Sequence, residues 1–176
     1  MPFPTWLAGQ RITADRLDDR DIKLVEQGTD QTVTNSTTLR DSNLLIPGEV
    51  NAIYWYALYI AYRATVTPDF RWAWVAPSGT SIDRFTLARD ENAAAGLTAG
   101  TTIAARYASI GIELRAGGGD TDGTNPPANV FYVHDQGIIK IGGTAGSCVV
   151  RFAQFTSSAN QTIFSSQSKL VYARIG

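Results

Sequence analysis

The sequence predicts an all-β fold: an antiparallel β-sandwich preceded by a short N-terminal segment with one helix. Three observations carry this. From residue 30 onward, short runs rich in Val, Ile, Thr, Tyr, Phe and Trp recur between clusters of Gly, Ser, Asn, Asp and Pro, the punctuation expected of linked strands. The run "AIYWYALYIAY" at 52–62 carries no charge and is dense in aromatic rings. The chain of 176 residues is 44% hydrophobic but only 18% charged, enough apolar material for one core and little charge to spread over a surface.

In chain order, residues 1–29 form an anchor segment and 30–176 the sandwich. "PFPTWLAGQRI" has two prolines and reads as extended. "TADRLDDRDIKLVEQG" reads as a short helix, with Thr13 as cap, Asp15 at its positive end and Gly28 beyond its end. Its apolar residues are too few for a stable isolated helix, so Trp6, Leu7, Ile12, Leu17 and Ile22 are the expected contacts to a partner. "QTVTNSTTL" alternates as a strand, and "RDSNLLIPGEVN" reads as a loop around a short apolar piece.

The central run follows. Tyr54, Tyr56, Leu58, Ile60 and Tyr62 point one way; Ile53, Trp55, Ala57, Tyr59 and Ala61 point the other. In "DFRWAWVAP", Phe70, Trp72 and Trp74 share a face. Further strands are expected in "SIDRFTLAR", "TTIAARYASIGIEL", "NVFYVHDQGIIKIGG", "SCVVRFAQFT", "QTIF" and "SKLVYARI", eight or nine in all. "RDENAAAGLTAG" is a long connection.

A sandwich strand is normally apolar inward and polar outward. The 52–62 run is apolar on both sides, and so is "SCVVRFAQF", with Cys148, Val150 and Phe152 against Val149, Ala153 and Phe155. This predicts that the outside of one sheet is covered. A neighbouring copy through Ile53, Trp55, Tyr59, Val149 and Phe155 is the expected cover; a broad single-chain core with the 89–100 connection as lid is the alternative.

The residues offer little chemistry. A Ser–His–Asp site would need His134, the only histidine, and no G-x-S-x-G turn is present. Packing or an interface is its expected role, and no enzyme activity or cofactor is expected. Asp120, Asp122 and Asn125 in "DTDGTN" alternate as calcium ligands do. The glycine stands at the fourth position rather than the sixth, and the twelfth is Phe131 rather than Glu, so a surface turn explains the loop better. Cys148, alone, excludes an internal disulfide. A net charge of −1 gives no reason to bind nucleic acid, and no apolar stretch is long enough to span a bilayer.

"WLAGQRITADRL" resembles the start of small virion proteins of tailed bacteriophages that infect actinobacteria. "VTNSTTLRDSNLLIPGEVNAIYWYALYIAYRA" and "GSCVVRFAQFTSSANQTIFSSQSKLVYARIG" are similar to strands of their jelly-roll domains. Such domains resemble the trimeric heads of the tumour-necrosis-factor and complement type. The resemblance implies an antiparallel jelly-roll sandwich and a structural role in the virion, assembled in the bacterial cytoplasm. It implies a homotrimeric capsid decoration protein, partnered by the major capsid protein or another virion protein and anchored by its N-terminal segment. The alternative is a tail or fibre-tip head that binds a host surface glycan.

Overall fold

The computed structural model describes Gly9, residues 21–90 and residues 102–176. Twelve strands run through the described residues: β1 (Lys23–Glu26), β2 (Gln31–Val33), β3 (Arg40–Gly48), β4 (Ile53–Arg63), β5 (Phe70–Val75), β6 (Ser81–Arg89), β7 (Thr102–Tyr107), β8 (Leu114–Ala116), β9 (Phe131–Lys140), β10 (Gly146–Ala153), β11 (Thr162–Phe164) and β12 (Lys169–Arg174). The larger sheet has eight strands in the order β1-β12-β4-β9-β6-β7, with β11 beside β4 and β2 beside β11. The smaller sheet is β3-β10-β5-β8. Every ladder between these strands is antiparallel. From β3 to β6 the chain changes sheet at each step, the weaving of a jelly-roll-like sandwich.

The predicted fold class holds, with corrections at element level. The helix expected over 13–28 is not formed at its end: Lys23–Glu26 is a strand, Lys23 opposite Tyr172 and Glu26 opposite Lys169 on β12. Within "KLVE" the side chains alternate between half-buried and exposed, and the open edge of β12 supplies the backbone partners. The rest of that helix, with Trp6, Leu7, Ile12 and Leu17, lies outside the described residues, as does most of the 89–100 connection. Residues 40–48, expected as a loop, form a nine-residue strand whose Leu44 and Ile46 are fully buried. Pro47 is tolerated there because β3 is an edge strand, paired only with β10. Conversely, the strand expected over 31–39 stops at Val33, since Asn35 turns the chain at a φ of 52°.

The core lies between the two sheets, and its alternation is the one the sequence dictates. Tyr54, Tyr56, Leu58, Ile60 and Tyr62 of β4 face inward, at most 3% exposed. Opposite them lie Phe70, Trp72 and Trp74 of β5, and Cys148, Val150 and Phe152 of β10. Rings fix the packing: Tyr62 stacks on Phe70 at 4.5 Å, Tyr56 meets Trp74 edge-on at 5.0 Å, and Phe152 lies 4.8 Å from Phe164. Burial pushes the Cys148 thiol up to about 11, so it stays protonated and inert.

Gln27, fully buried after β1, ties the two sheets at one edge. Its side-chain oxygen accepts from the Asn43 backbone N–H at 3.1 Å, and its carbonyl accepts from Asn43 Nδ2 at 2.9 Å.

Candidate functional site

The feature with most to say about function is the outward face of the larger sheet. Odd-numbered residues of β4 point outward, and β9 answers them in register: Trp55 opposite Ile138, Ala57 opposite Gln136, Tyr59 opposite His134, Ala61 opposite Tyr132. β6 continues the face, with Phe85 opposite Gln136 and Leu87 opposite His134. The result is an exposed apolar field of Trp55, Tyr59, Phe85, Tyr132 and Ile138, each between 37% and 62% exposed. Two ion pairs stand at its edges, and the exposed Lys140 lies at the end of the same face, close enough to act on Asp83. Arg106 Nη2 meets Asp83 at 2.6 Å and Lys169 pairs with Glu26, both across neighbouring strands. The Arg106 guanidinium beside Asp83 holds that carboxyl below the usual carboxylate range.

Three strands about 4.8 Å apart and six residue steps of about 3.3 Å make this field roughly 14 by 20 Å. A typical stable interface takes about 800 Å² from each partner, so the field is large enough to be the centre of one.

The expected interface residues do not lie together. Trp55 and Tyr59 are in the field, whereas Ile53 is half-buried at the start of β4 and held by the chain end: Ile175 donates to its carbonyl at 2.8 Å, and its own N–H reaches the Gly176 carbonyl at 2.8 Å. Val149 belongs to the other sheet, between Val75 of β5 and Leu45 of β3. Phe155 lies beyond the end of β10 with the Arg115 guanidinium 3.5 Å above its ring. The two doubly apolar stretches thus face opposite outsides of the sandwich. Ile22, expected as an anchor contact, is 69% exposed just before β1.

The carboxylates of the "DTDGTN" loop act as clamps. Asp120, only 5% exposed, accepts from the Asn129 backbone N–H at 2.9 Å and from the Asn129 amide. Asp122 accepts from the Thr67 backbone N–H at 3.1 Å, the Thr67 hydroxyl and Asn160 Nδ2 at 3.4 Å. Burial acts to raise the Asp122 carboxyl, and these hydrogen bonds outweigh it, so the group titrates below its usual range. Asn125 accepts from the Gln161 N–H at 3.3 Å. The loop pins three segments at one end of the sandwich. Among the described residues, no group of three or more His, Cys, Asp or Glu gathers as metal ligands.

The sequence reading missed a buried polar centre. Asp135 is fully buried and accepts three hydrogen bonds: Arg84 Nη1 at 2.9 Å, Tyr56 hydroxyl at 2.8 Å and Trp72 Nε1 at 3.2 Å. Arg84 is 2% exposed and also donates from Nη2 to the Ile112 carbonyl at 3.0 Å. The signal was in the alternation, since Arg84 shares its face with Ile82 and Ala88, and Asp135 with Val133 and Ile139. These bonds tie β4, β5, β6 and β9 together.

No family model and no curated protein matches the chain. Among solved structures, the chain is similar to VP2 of infectious bursal disease virus. Against the VP2 subviral particle the identity is 10% and the TM-score 0.22, covering 100% of this chain and 46% of that one. Against the Gt strain the identity is 10% and the TM-score 0.23, covering 100% and 43%. Against the Gx strain the identity is 8% and the TM-score 0.20, covering 99% and 47%. This chain spans less than half the length of these viral proteins.

Proposed function

We propose that the chain is a structural virion protein: a homotrimeric capsid decoration head, joined to its shell through the N-terminal segment and working without catalysis. The supporting observation is the exposed field around Trp55 and Tyr59, at the centre of the larger sheet, with ion pairs at its edges. Leaving several such side chains in water forgoes about 1.5–3 kcal/mol for each one that could be fully buried, so a covering partner is strongly favoured. A rim of two ion pairs and one further cation, Lys140, carries too little net charge to select a strongly charged partner or to repel a second copy of the same chain strongly. The sequence resemblance to phage virion proteins supplies the setting.

The test is assembly in dilute solution. The intact protein should sediment as a trimer, and Trp55→Lys or Tyr59→Asp should release monomers, because an unpaired charge in a covered face is costly. A monomer of 19.0 kDa for the unaltered chain would sink this reading.

One observation favours a second reading, a receptor-binding head. Trp55, Phe85, Ile138, Asp83, Arg106 and Gln136 line a shallow depression of about 350 Å³. An aromatic platform with polar groups at its rim suits a sugar ring. Glycan binding by a monomer, lost in Trp55→Ala, would establish that alternative.

A further inference from the structure

The exposed field contains the chain's only histidine. His134 sits near its middle, stacked flat on Tyr59 with ring centroids 4.5 Å apart and planes 8° from parallel. Its Nε2 is buried and makes no hydrogen bond.

Among the described residues that flank the ring, no carboxylate faces an imidazolium, and Arg89, two positions beyond Leu87 on β6, is a further cation that lies over the Phe131 ring. Across the strands its partners are Tyr59 on β4 and Leu87 on β6. Tyr132 and Gln136 flank it along its own face of β9, and the Tyr132 hydroxyl is turned towards Gln167 at 3.3 Å. Beyond Tyr59 the next outward residue is Lys169 of β12, a cation already paired with Glu26 of β1. Asp83 is held by Arg106 at the far end of the field. Asp135 follows His134 directly but points to the opposite side of the sheet, where Arg84 occupies it.

We propose that His134 is a proton-operated latch on copy-to-copy assembly: neutral, it lets the face be covered; protonated, it drives the copies apart. This rests on the reading that a second copy covers the face. The physical reason is the cost of enclosing a charge. In the separated protein the half-buried ring keeps only its Nδ1 side towards water, and a partner over the face removes that hydration too, leaving a cation enclosed among Tyr59, Leu87 and Tyr132. Each copy brings one such group, so a trimer meets the penalty three times. Acid therefore favours the separated form, and return to neutrality restores the assembly.

The experiment is sedimentation of the full chain over a dilution series at about pH 7.5 and about pH 5.5, where histidine is the side chain that ordinarily changes charge. Far-UV circular dichroism at each pH reports the sandwich. The expected result is a trimer at the higher pH whose half-assembly concentration rises roughly tenfold or more at the lower one, with the β-spectrum unchanged. His134→Phe keeps a flat ring and cannot be charged, so it should stay assembled at both pH values. His134→Gln, uncharged but without the ring, should also lose the pH response. His134→Lys should be separated at both. A trimer indifferent to pH overturns the latch and leaves the assembly reading standing. So does a pH response that survives in His134→Phe and His134→Gln, or dissociation that occurs only as the fold is lost. A monomer at neutral pH overturns both.

Discussion

Removing the carboxylate of Asp135 should be among the most damaging changes this fold can suffer while its shape is preserved. Asp135→Asn keeps the volume but exchanges one oxygen for an NH2 group in a site where Arg84, Tyr56 and Trp72 all present donors. It also leaves the Arg84 guanidinium, 2% exposed, without its counter-charge. Breaking a buried pair from one side costs about 3–5 kcal/mol, and an unpaired buried donor about 1–3 kcal/mol more. Against a typical stability of roughly 5–15 kcal/mol, a loss near 4 is a large share. With a urea slope of about 2 kcal/mol per molar, the unfolding midpoint should fall by about 2 M. Arg84→Met in the Asp135→Asn background removes the stranded charge and lets the asparagine carbonyl accept from Tyr56 and Trp72. The double variant should therefore be more stable than Asp135→Asn alone, by about 1 kcal/mol or more. If Asp135→Asn costs less than about 1 kcal/mol, or the two changes simply add, the guanidinium and carboxylate are not coupled as the distances require.

Three further outcomes follow from other parts of the molecule. Gly137→Ala should destabilise the sandwich by about 1–3 kcal/mol in the same urea titration, since its Cβ would stand 2.2 Å from the Asp83 carbonyl oxygen where β6 approaches β9. Stability should fall in acid through Asp30 and Asp122, whose folded carboxyls titrate below their unfolded values. Asp30 is lowered first by the Ser166 backbone N–H; at Asp122 burial works the other way and is outweighed by hydrogen bonds led by Thr67. Their contribution is present above the unfolded value of about 4 and lost as pH drops through the lower folded one, so Asp30→Asn with Asp122→Asn should flatten melting temperature against pH below about 4. Gln27→Ala should detach the β1 edge without unfolding the rest, visible as faster amide exchange confined to residues 21–29 and 43.

How much of this was written in the sequence depends on whether a strand's period could express it. In β4 and β5 alternation sorted the faces residue by residue, because the inner faces, Tyr54 to Tyr62 on β4 and Phe70, Trp72 and Trp74 on β5, are filled with large side chains, whereas Ala57 and Ala61 interrupt the outer face of β4. Where a polar side chain occupies an inward position, the same period was present but invisible. Arg84 and Asp135 look like surface residues until their neighbours two positions away are counted with them. β1 was misread because the "DRLDDRD" run before it suggests a solvated helix, whereas the edge of β12, more than 140 residues later, is what makes it a strand. The exposed field was half legible. Trp55 and Tyr59 stood out in an uncharged run, but Phe85, Tyr132 and Ile138 join them only through register, which a single sequence does not print. The same missing register let Val149 and Phe155 be grouped with a face from which the whole sandwich separates them.

The position of β4 also sets a timetable for synthesis. Tyr59 meets His134 on one side and Lys169 on the other, about 75 and about 110 residues further along the chain. A ribosome adding roughly 5–20 residues per second needs on the order of 5 to 20 seconds to deliver the second of these. For about the first two thirds of that interval the most hydrophobic strand of the protein has neither ladder partner, and for the rest it still lacks β12, so an uncharged edge is open to the same strand on a neighbouring nascent chain. Where many copies are translated together, crowding on the polysome rather than the finished fold governs the yield, and slower growth at lower temperature is the condition under which most of the chain reaches its sandwich.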